Sequence, residues 1–275
     1  MTHSRQRLRA LLDESGLAPR RDLGQNFVGD PNTVRRIAAL ARVGPGDRVV
    51  EIGAGLGSLT LALAETGAEV TAVEVDRRLA AVLRRVVDDI PRVTVVEADA
   101  MTLGWDEVLD GRRGWVLVAN LPYNVATPLV CDLLDDVPGI ERMLVMVQRE
   151  VAARLAASPG SKQYGAVSVK VRYWATARMV GVVPASVFVP RPNVESALVE
   201  IVRHAPPPID PTRVFPLVRA GFAHRRKMLR GALAGVATAD QLTAAGIDPE
   251  ARAEQLDVAD WCRLAGVLAG SDAAT

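Results

Sequence analysis

Asn120-Leu121-Pro122-Tyr123 sets an amide, a rigid imino acid and a phenol ring after an apolar run, Trp115 to Ala119, that has the composition of a buried strand. An amide carbonyl beside an aromatic face suits a flat heterocycle with an exocyclic amine. Such an amine is a weak nucleophile, because its lone pair is delocalised into the ring. Activating it takes no strong base. It takes acceptors that draw the nitrogen toward a tetrahedral shape and aim its lone pair at an electrophile. Asn120 offers its side-chain carbonyl and Leu121 its backbone carbonyl. Pro122 stiffens the turn, and Tyr123 gives a stacking face for a flipped-out base. Alignment with the donor then supplies much of the rate. A second rigid loop, Phe188-Val189-Pro190-Arg191-Pro192, carries an aromatic that is expected to be exposed and to sandwich the base against Tyr123.

Upstream lies a glycine-rich turn, Glu51-Ile52-Gly53-Ala54-Gly55-Leu56-Gly57. Glycines permit a tight turn and let the next helix approach a ligand closely. The dinucleotide pattern GxGxxG would need glycine at 58, where Ser58 stands. The turn resembles instead the first motif of S-adenosylmethionine-dependent methyltransferases. Glu74 follows Gly53 by 21 residues and ends the next apolar run, where a carboxylate can accept both ribose hydroxyls of a nucleoside. Asp76 is the alternative. Asp99, after a third run, is placed to accept from the amine of a cofactor adenine. The two sites together point to methyl transfer onto an adenine nitrogen. None of His3, His204 and His224 sits in a convincing constellation, and Cys131 and Cys262 match no metal spacing, so no metal is expected.

These groups need a frame that brings strand ends together. Arg48–Ile52, Glu69–Glu74, Val93–Glu97, Trp115–Asn120 and Met143–Gln148 are short, apolar and Val-rich, with helical patterns between most of them at Ser58–Glu65, Arg77–Val87 and Thr127–Leu134. That alternation predicts an α/β fold with a mostly parallel central sheet and helices on both faces. Val167–Trp174, Arg178–Val183 and Ser196–Val202 lack helix-length spacers and are expected as added edge strands, some antiparallel. Pro206-Pro207-Pro208 and Pro211 mark a boundary, after which Val214 to Ala269 is helical in pattern. The expected organisation is a helical or frayed basic arm at 1–22, a catalytic domain at 23–205, a small all-helical domain at 206–270 and a disordered tail at 271–275.

Composition is ordinary for a globular chain of 275 residues, 49% hydrophobic and 24% charged. No apolar stretch approaches the roughly 20 residues of a membrane span, and the basic N-terminus lacks a signal-peptide core. No membrane partner is expected, and a cytoplasmic location is. The net charge of +1 hides segregation: Arg142 to Arg230 holds 15 Lys+Arg against 4 Asp+Glu, a local net of +11. Such a block can neutralise several phosphates and favours a nucleic-acid partner.

The chain resembles the ribosomal RNA adenine dimethyltransferase family, in its bacterial small-subunit (16S) branch. The resemblance runs from about Leu23 to Leu264. It rests on Leu23-Gly24-Gln25-Asn26-Phe27, the glycine turn, Asn120 to Asn124, Phe188 to Ser196, Phe222 to Lys227 and Arg252 to Leu256. It implies a Rossmann-like class I methyltransferase domain with a small C-terminal helical domain. It also implies cofactor contacts at Asn26, Val28, Gly53, Gly55, Glu74, Asp99 and Asn120, with Val28 standing where Leu is usual. Catalysis would fall to Asn120 to Tyr123 and Phe188. The cofactor would be S-adenosylmethionine, released as S-adenosylhomocysteine. The implied substrate is N6 of two adjacent adenosines in a hairpin loop near the 3′ end of 16S rRNA, within a precursor 30S subunit, bound by a monomer. Residues Arg219 to Arg230 would form a docking helix, with Arg225, Arg226, Lys227 and Arg230 on phosphates. The related 23S rRNA methyltransferases share the glycine turn and an Asn-x-Pro-aromatic motif and are the main alternative. A ribosome-assembly protein without catalysis is another.

Overall fold

In the computed structural model, which describes residues 2–20, 24–224 and 226–272, the Val-rich runs form one seven-stranded sheet. Helix α1 (Arg5–Glu14) is capped by Ser4, whose hydroxyl accepts from the Arg7 N–H. Strand β1 (Phe27–Val28) and helix α2 (Pro31–Ala41) follow. As the sequence predicts, Asp30 caps α2 by accepting from the Thr33 N–H, and Pro31 fills its first turn. Next come β2 (Arg48–Ile52), α3 (Ser58–Glu65), β3 (Glu69–Glu74), α4 (Arg77–Val86), β4 (Val93–Glu97), α5 (Trp105–Val108), β5 (Trp115–Asn120), α6 (Ala126–Asp136) and β6 (Ile140–Gln148). After α7 (Arg149–Leu155) and α8 (Ala166–Trp174) stand β7 (Ala175–Val183), β8 (Phe188–Val189) and β9 (Ser196–Arg203). Helices α9 (Pro211–Ala223), α10 (Leu229–Ala232), α11 (Ala239–Ala244) and α12 (Val258–Asp272) end the described chain.

The strand order is β4-β3-β2-β5-β6-β9-β7. β4 to β6 run parallel, while β9 lies antiparallel to β6 from Arg142 opposite Val202 to Gln148 opposite Ser196. Strand order reverses between β2 and β5, so the loops leaving β2 and β5 diverge and open a crevice at their carboxyl ends. Val34, Ile37, Val49, Leu63, Val116 and Leu198 fill one core cluster, and Leu61, Ala72, Leu83 and Val87 another.

The chain divides into two compact units, Met1–Ala152 with Arg178–Arg203, and Ala153–Ala177 with His204–Thr275. Residues 153–177, expected before the proline-rich boundary, thus group with the helical unit. One reason is that Val167–Trp174 is helix, not strand. Its alternating apolar residues mimic a period of two, but Val169 and Tyr173, one helical turn apart, both bury into the cluster formed with Val214, Leu217, Trp261 and Leu264. Ser168 fixes the helix start by accepting from the Gly165 N–H and donating to the Arg154 carbonyl. Within this unit Gly221 lies so close to Trp261 that an added Cβ would fall 2.6 Å from the indole.

The arm is not frayed over its described length. Leu8, Leu11 and Leu12 of α1 are buried against Phe27, Leu56, Leu79 and Val82, and His3 sets Nε2 3.0 Å from the Leu56 carbonyl. Burial lowers the pKa of His3. Residues 1, 21 and 22 of the arm and 273–275 of the tail lie outside the described residues, whereas Ser271 and Asp272 belong to α12. Since Leu8 is fully buried, Leu8→Ala should cost about 2–5 kcal/mol in urea unfolding. A cost below about 0.5 kcal/mol would show that α1 is not held on this surface.

Candidate active site

The glycine turn holds its shape through backbone conformations that side chains rarely adopt. Gly53, Gly55 and Gly57 have φ of 72°, 58° and 85°. At Gly55 there is no room either: an added Cβ would lie 2.9 Å from the Phe27 ring. The Gly53 and Ala54 N–H groups donate to the Val73 carbonyl, locking the turn to β3. Glu74, at the end of β3, accepts from the Gly55 N–H (2.7 Å) and the Asp76 N–H (2.9 Å). It is 5% exposed, and burial raises its pKa. Asp76 instead caps α4 by accepting from the Arg78 and Leu79 N–H groups, and takes a further bond from Gln25 Nε2. Geometry therefore favours Glu74 over Asp76 as the ribose acceptor.

Two adjoining clefts share Gly53, Val75 and Pro122. One, of about 660 Å³, is walled by Asn26, Val28, Gly55, Glu51, Ser58 and Glu74. The other, of about 620 Å³, is walled by Asp99, Met101, Val125 and Leu129. The apolar walls near Asp99 would suit the base of a nucleoside-bearing cofactor, and the more polar walls along the glycine turn its charged chain. The Asp99 carboxylate accepts from the Met101 N–H through one oxygen, which orients the other. Among the described residues no three His, Cys, Asp or Glu side chains gather to hold a metal ion. Cys131 and Cys262 are buried and form no disulfide.

At the end of β5, Asn120 Nδ2 donates to the Asn26 carbonyl at 2.9 Å. That bond fixes the amide orientation and leaves Oδ1 as the acceptor for a substrate amine. Asn26 is itself set by a bond from its Nδ2 to the Gly24 carbonyl. The Leu121 N–H donates to the Met146 carbonyl on β6, and the Pro122 carbonyl receives the Val125 and Ala126 N–H groups, so the loop is tied at both ends. Half-buried Tyr123 pairs its hydroxyl with Ser196 Oγ of β9 at 2.7 Å.

Phe188 departs from expectation. It is 2% exposed and packs with Val34, Ile37 and Leu198. β8 pairs antiparallel with β1, placing Phe188 opposite Val28, and this pairing turns its side chain into the core. As it stands, only Tyr123 of the two rings is open to a base. The motifs alone give no role to Gln25, which receives the Arg20 N–H and links it to Asp76. Its one signal in the sequence is membership of the Gly24-Gln25-Asn26 run. Glu51 stands there only as the residue before the turn, and Ser58 only as the residue that breaks the dinucleotide pattern.

The expected docking helix is interrupted. α9 ends at Ala223 and α10 starts at Leu229, with His224 and Arg226 in turn conformation between them. Arg226, Lys227 and Arg230 are exposed there, while Arg225 lies outside the described residues. Arg230 pairs with Glu250 at 3.3 Å, so a phosphate would have to displace that carboxylate. The turn is held from within, by a bond from the Lys227 N–H to the His224 carbonyl.

Residues 16–270 match the family model described as ribosomal RNA adenine dimethylase. The chain is 49% identical to the ribosomal RNA small subunit methyltransferase A of Cutibacterium acnes over 283 aligned residues, covering 97% of this chain and 94% of the relative. Among solved structures it is similar to a dimethyladenosine transferase from Plasmodium falciparum (TM-score 0.74, 24% identity, 86% of this chain and 94% of that one). It is also similar to a 23S rRNA methyltransferase (TM-score 0.68, 26% identity, 88% and 99%).

Tyr123→Ala should lower kcat/KM about 5- to 150-fold, the worth of one stacked base at ~1–3 kcal/mol. Tyr123→Phe keeps the ring and should stay within a few-fold. Burial holds the phenol protonated above its ordinary value of 10.0, so neither wild type nor Tyr123→Phe should show a titration from this group below pH 10. Equal losses in both variants would assign the role to the hydroxyl instead. Gly55→Ala should abolish cofactor binding measured by calorimetry, whereas Gly46→Ala, with φ 91° but nothing within 4 Å of the new Cβ, should only lower stability.

Proposed function

The chain belongs to the ribosomal RNA adenine dimethylase family, and on that premise we propose that it dimethylates N6 of two adjacent adenosines in a hairpin loop near the 3′ end of 16S rRNA. The observation that carries the catalytic part is the Asn120 amide, held by Asn26 so that its carbonyl oxygen faces the site as an acceptor. S-adenosylmethionine, which the glycine turn, Glu74 and Asp99 would hold, would supply an electrophilic methyl group, its carbon–sulfur bond breaking and the sulfonium charge disappearing on transfer. Asn120 Oδ1 accepts one hydrogen of the N6 amine and the Leu121 carbonyl the other. Both bonds pull the nitrogen out of conjugation and turn its lone pair toward the methyl carbon. As the N–C bond forms, the nitrogen gives up a proton toward these acceptors and solvent. After the first transfer one N–H remains, so one acceptor suffices for the second.

The substrate is proposed to be rRNA within a precursor of the small subunit, met by a monomer in the cytoplasm. The basic turn after α9 supports this, because a single base pocket cannot select a particle while exposed Arg226, Lys227 and Arg230 can engage phosphates. The likeness to a 23S rRNA methyltransferase keeps large-subunit RNA as the second reading. Labelled methyl transfer to unmethylated small subunits, large subunits and naked rRNA separates the two. N6,N6-dimethyladenosine appearing only with small subunits supports the first, and label on large-subunit RNA the second.

Asn120→Ala should reduce methylation by at least about 100-fold, as losing one transition-state acceptor does, while small-subunit binding in a filter assay stays within a few-fold. Lost binding with unchanged turnover would overturn the role of Asn120. Alanine at Arg226 and Lys227 should do the reverse, weakening particle binding and lowering its salt slope by about 1 for each phosphate left unneutralised.

A further inference from the structure

The Tyr123 ring is anchored at its far end by a buried hydroxyl. The backbone on either side of Tyr123 is tied, through the Leu121 N–H to the Met146 carbonyl and through the Pro122 carbonyl to the Val125 and Ala126 N–H groups. The side chain still has two torsions about which the ring can swing. Its hydroxyl meets Ser196 Oγ at 2.7 Å. Ser196 is the first residue of β9, is fully buried and stands opposite Gln148 at the end of β6. Glu195, one residue earlier, is held twice by Arg149. Its carbonyl accepts from the Arg149 N–H at 3.0 Å, and its carboxylate from Arg149 Nη1 at 2.8 Å. The tether is therefore fixed to the sheet at the Ser196 end. A ring held both at Cβ and at its hydroxyl presents one plane to whatever stacks on it.

We propose that Ser196 is a positioning residue for the second methyl transfer, holding the Tyr123 ring in the plane that the singly methylated base must occupy. This rests on the reading of Tyr123 as the stacking face and of the reaction as N6 dimethylation. An unmethylated adenine offers two N–H groups, and bonds to Asn120 Oδ1 and the Leu121 carbonyl fix both its place and its plane. A singly methylated adenine offers one. A single hydrogen bond leaves the base free to turn about that bond. The stacking ring is then the group that keeps the nitrogen lone pair in line with the methyl carbon. In that step the lone pair forms the N–C bond, the carbon–sulfur pair stays on sulfur, and the last N–H proton passes to the acceptor and solvent. Loosening the ring therefore slows the second transfer more than the first. Removing Ser196 Oγ frees the ring from its tether, and removing the phenol hydroxyl releases the same tether from its other end.

The test is a quenched time course with the full chain, S-adenosylmethionine and unmethylated small subunits, in which N6-methyladenosine and N6,N6-dimethyladenosine are compared at equal total methyl incorporated. Loss of folded enzyme slows both transfers alike and leaves their ratio unchanged, so the ratio separates positioning from stability. Ser196→Ala should slow the second transfer ~3- to 10-fold more than the first, the worth of one hydrogen bond, so that singly methylated adenosine accumulates. Tyr123→Phe should accumulate it to the same extent, and serves where Ser196→Ala does not fold. The double variant should be no worse than either single one, because both remove the same bond. A wild-type ratio in either folded single variant, or additive shifts in the double variant, overturns the role of Ser196 alone. Wild-type rates for both transfers in Tyr123→Ala overturn the stacking reading. No dimethyladenosine from the wild type on small subunits overturns the proposed reaction, and the role of Ser196 goes with it.

Discussion

β5 hydrogen-bonds to β2 rather than to β4, the strand before it in the chain. Val49 opposite Val116 and Val50 opposite Leu117 set this register, and all four are buried. Because side chains alternate across a sheet, a slip of one residue would turn these valines from one packed face to the other. The register thus sets how far Asn120 stands from the glycine turn: Gly53 and Asn120 leave adjacent strands at the same end of the sheet. Every feature of the site depends on this adjacency. The Asn26 carbonyl reaches Asn120, the Gly24 backbone lies against Pro122, and Glu74 reaches the turn from the strand on the other side.

The parallel strands are legible in the sequence because each is a continuous Val-rich run bounded by turn residues, and the start of α2 follows local rules of capping. The glycine turn is legible because three positive φ angles in so short a span come at little cost only with glycines. α8 is not. The residues Val167, Val169 and Val171 alternate as a strand would, and only the apolar surface of α9 and α12 decides for helix. Phe188 misleads for a similar reason. Pro190 and Pro192 just after it suggest an exposed loop, but pairing of β8 with β1 turns the ring inward. The Glu51–Thr60 bond joins residues nine apart on a strand and a helix, a relation visible only after folding.

Charge counted along the sequence overstates what is free to bind phosphate. Arg203 donates to the Leu133, Leu134, Val137 and Ile140 carbonyls, closing the end of α6, and burial lowers its pKa. Arg142 donates to the carbonyls of Ala41 and Arg42 at the end of α2. Arg178 and Arg42 share the buried Glu200, and Arg149 pairs with Glu195. These guanidinium groups serve as helix ends and ion pairs. Four of the nine basic residues from Arg142 to Arg203 are thus engaged by helix ends or carboxylates, while Arg226 and Lys227 after α9 are exposed.

The packing of α1 bears on synthesis. Its leucines leave the ribosome well before their partners: Phe27 follows soon, but Leu56, Leu79 and Val82 arrive only after a further run of chain. At roughly 5–20 residues per second, a nascent chain carries that apolar stripe uncovered for several seconds. During that interval the stripe is a site for chaperones or for stray association. Once β3 and α4 are in place, the same stripe packs against Leu56 in the glycine turn, so the turn gains this apolar support only after those elements have emerged.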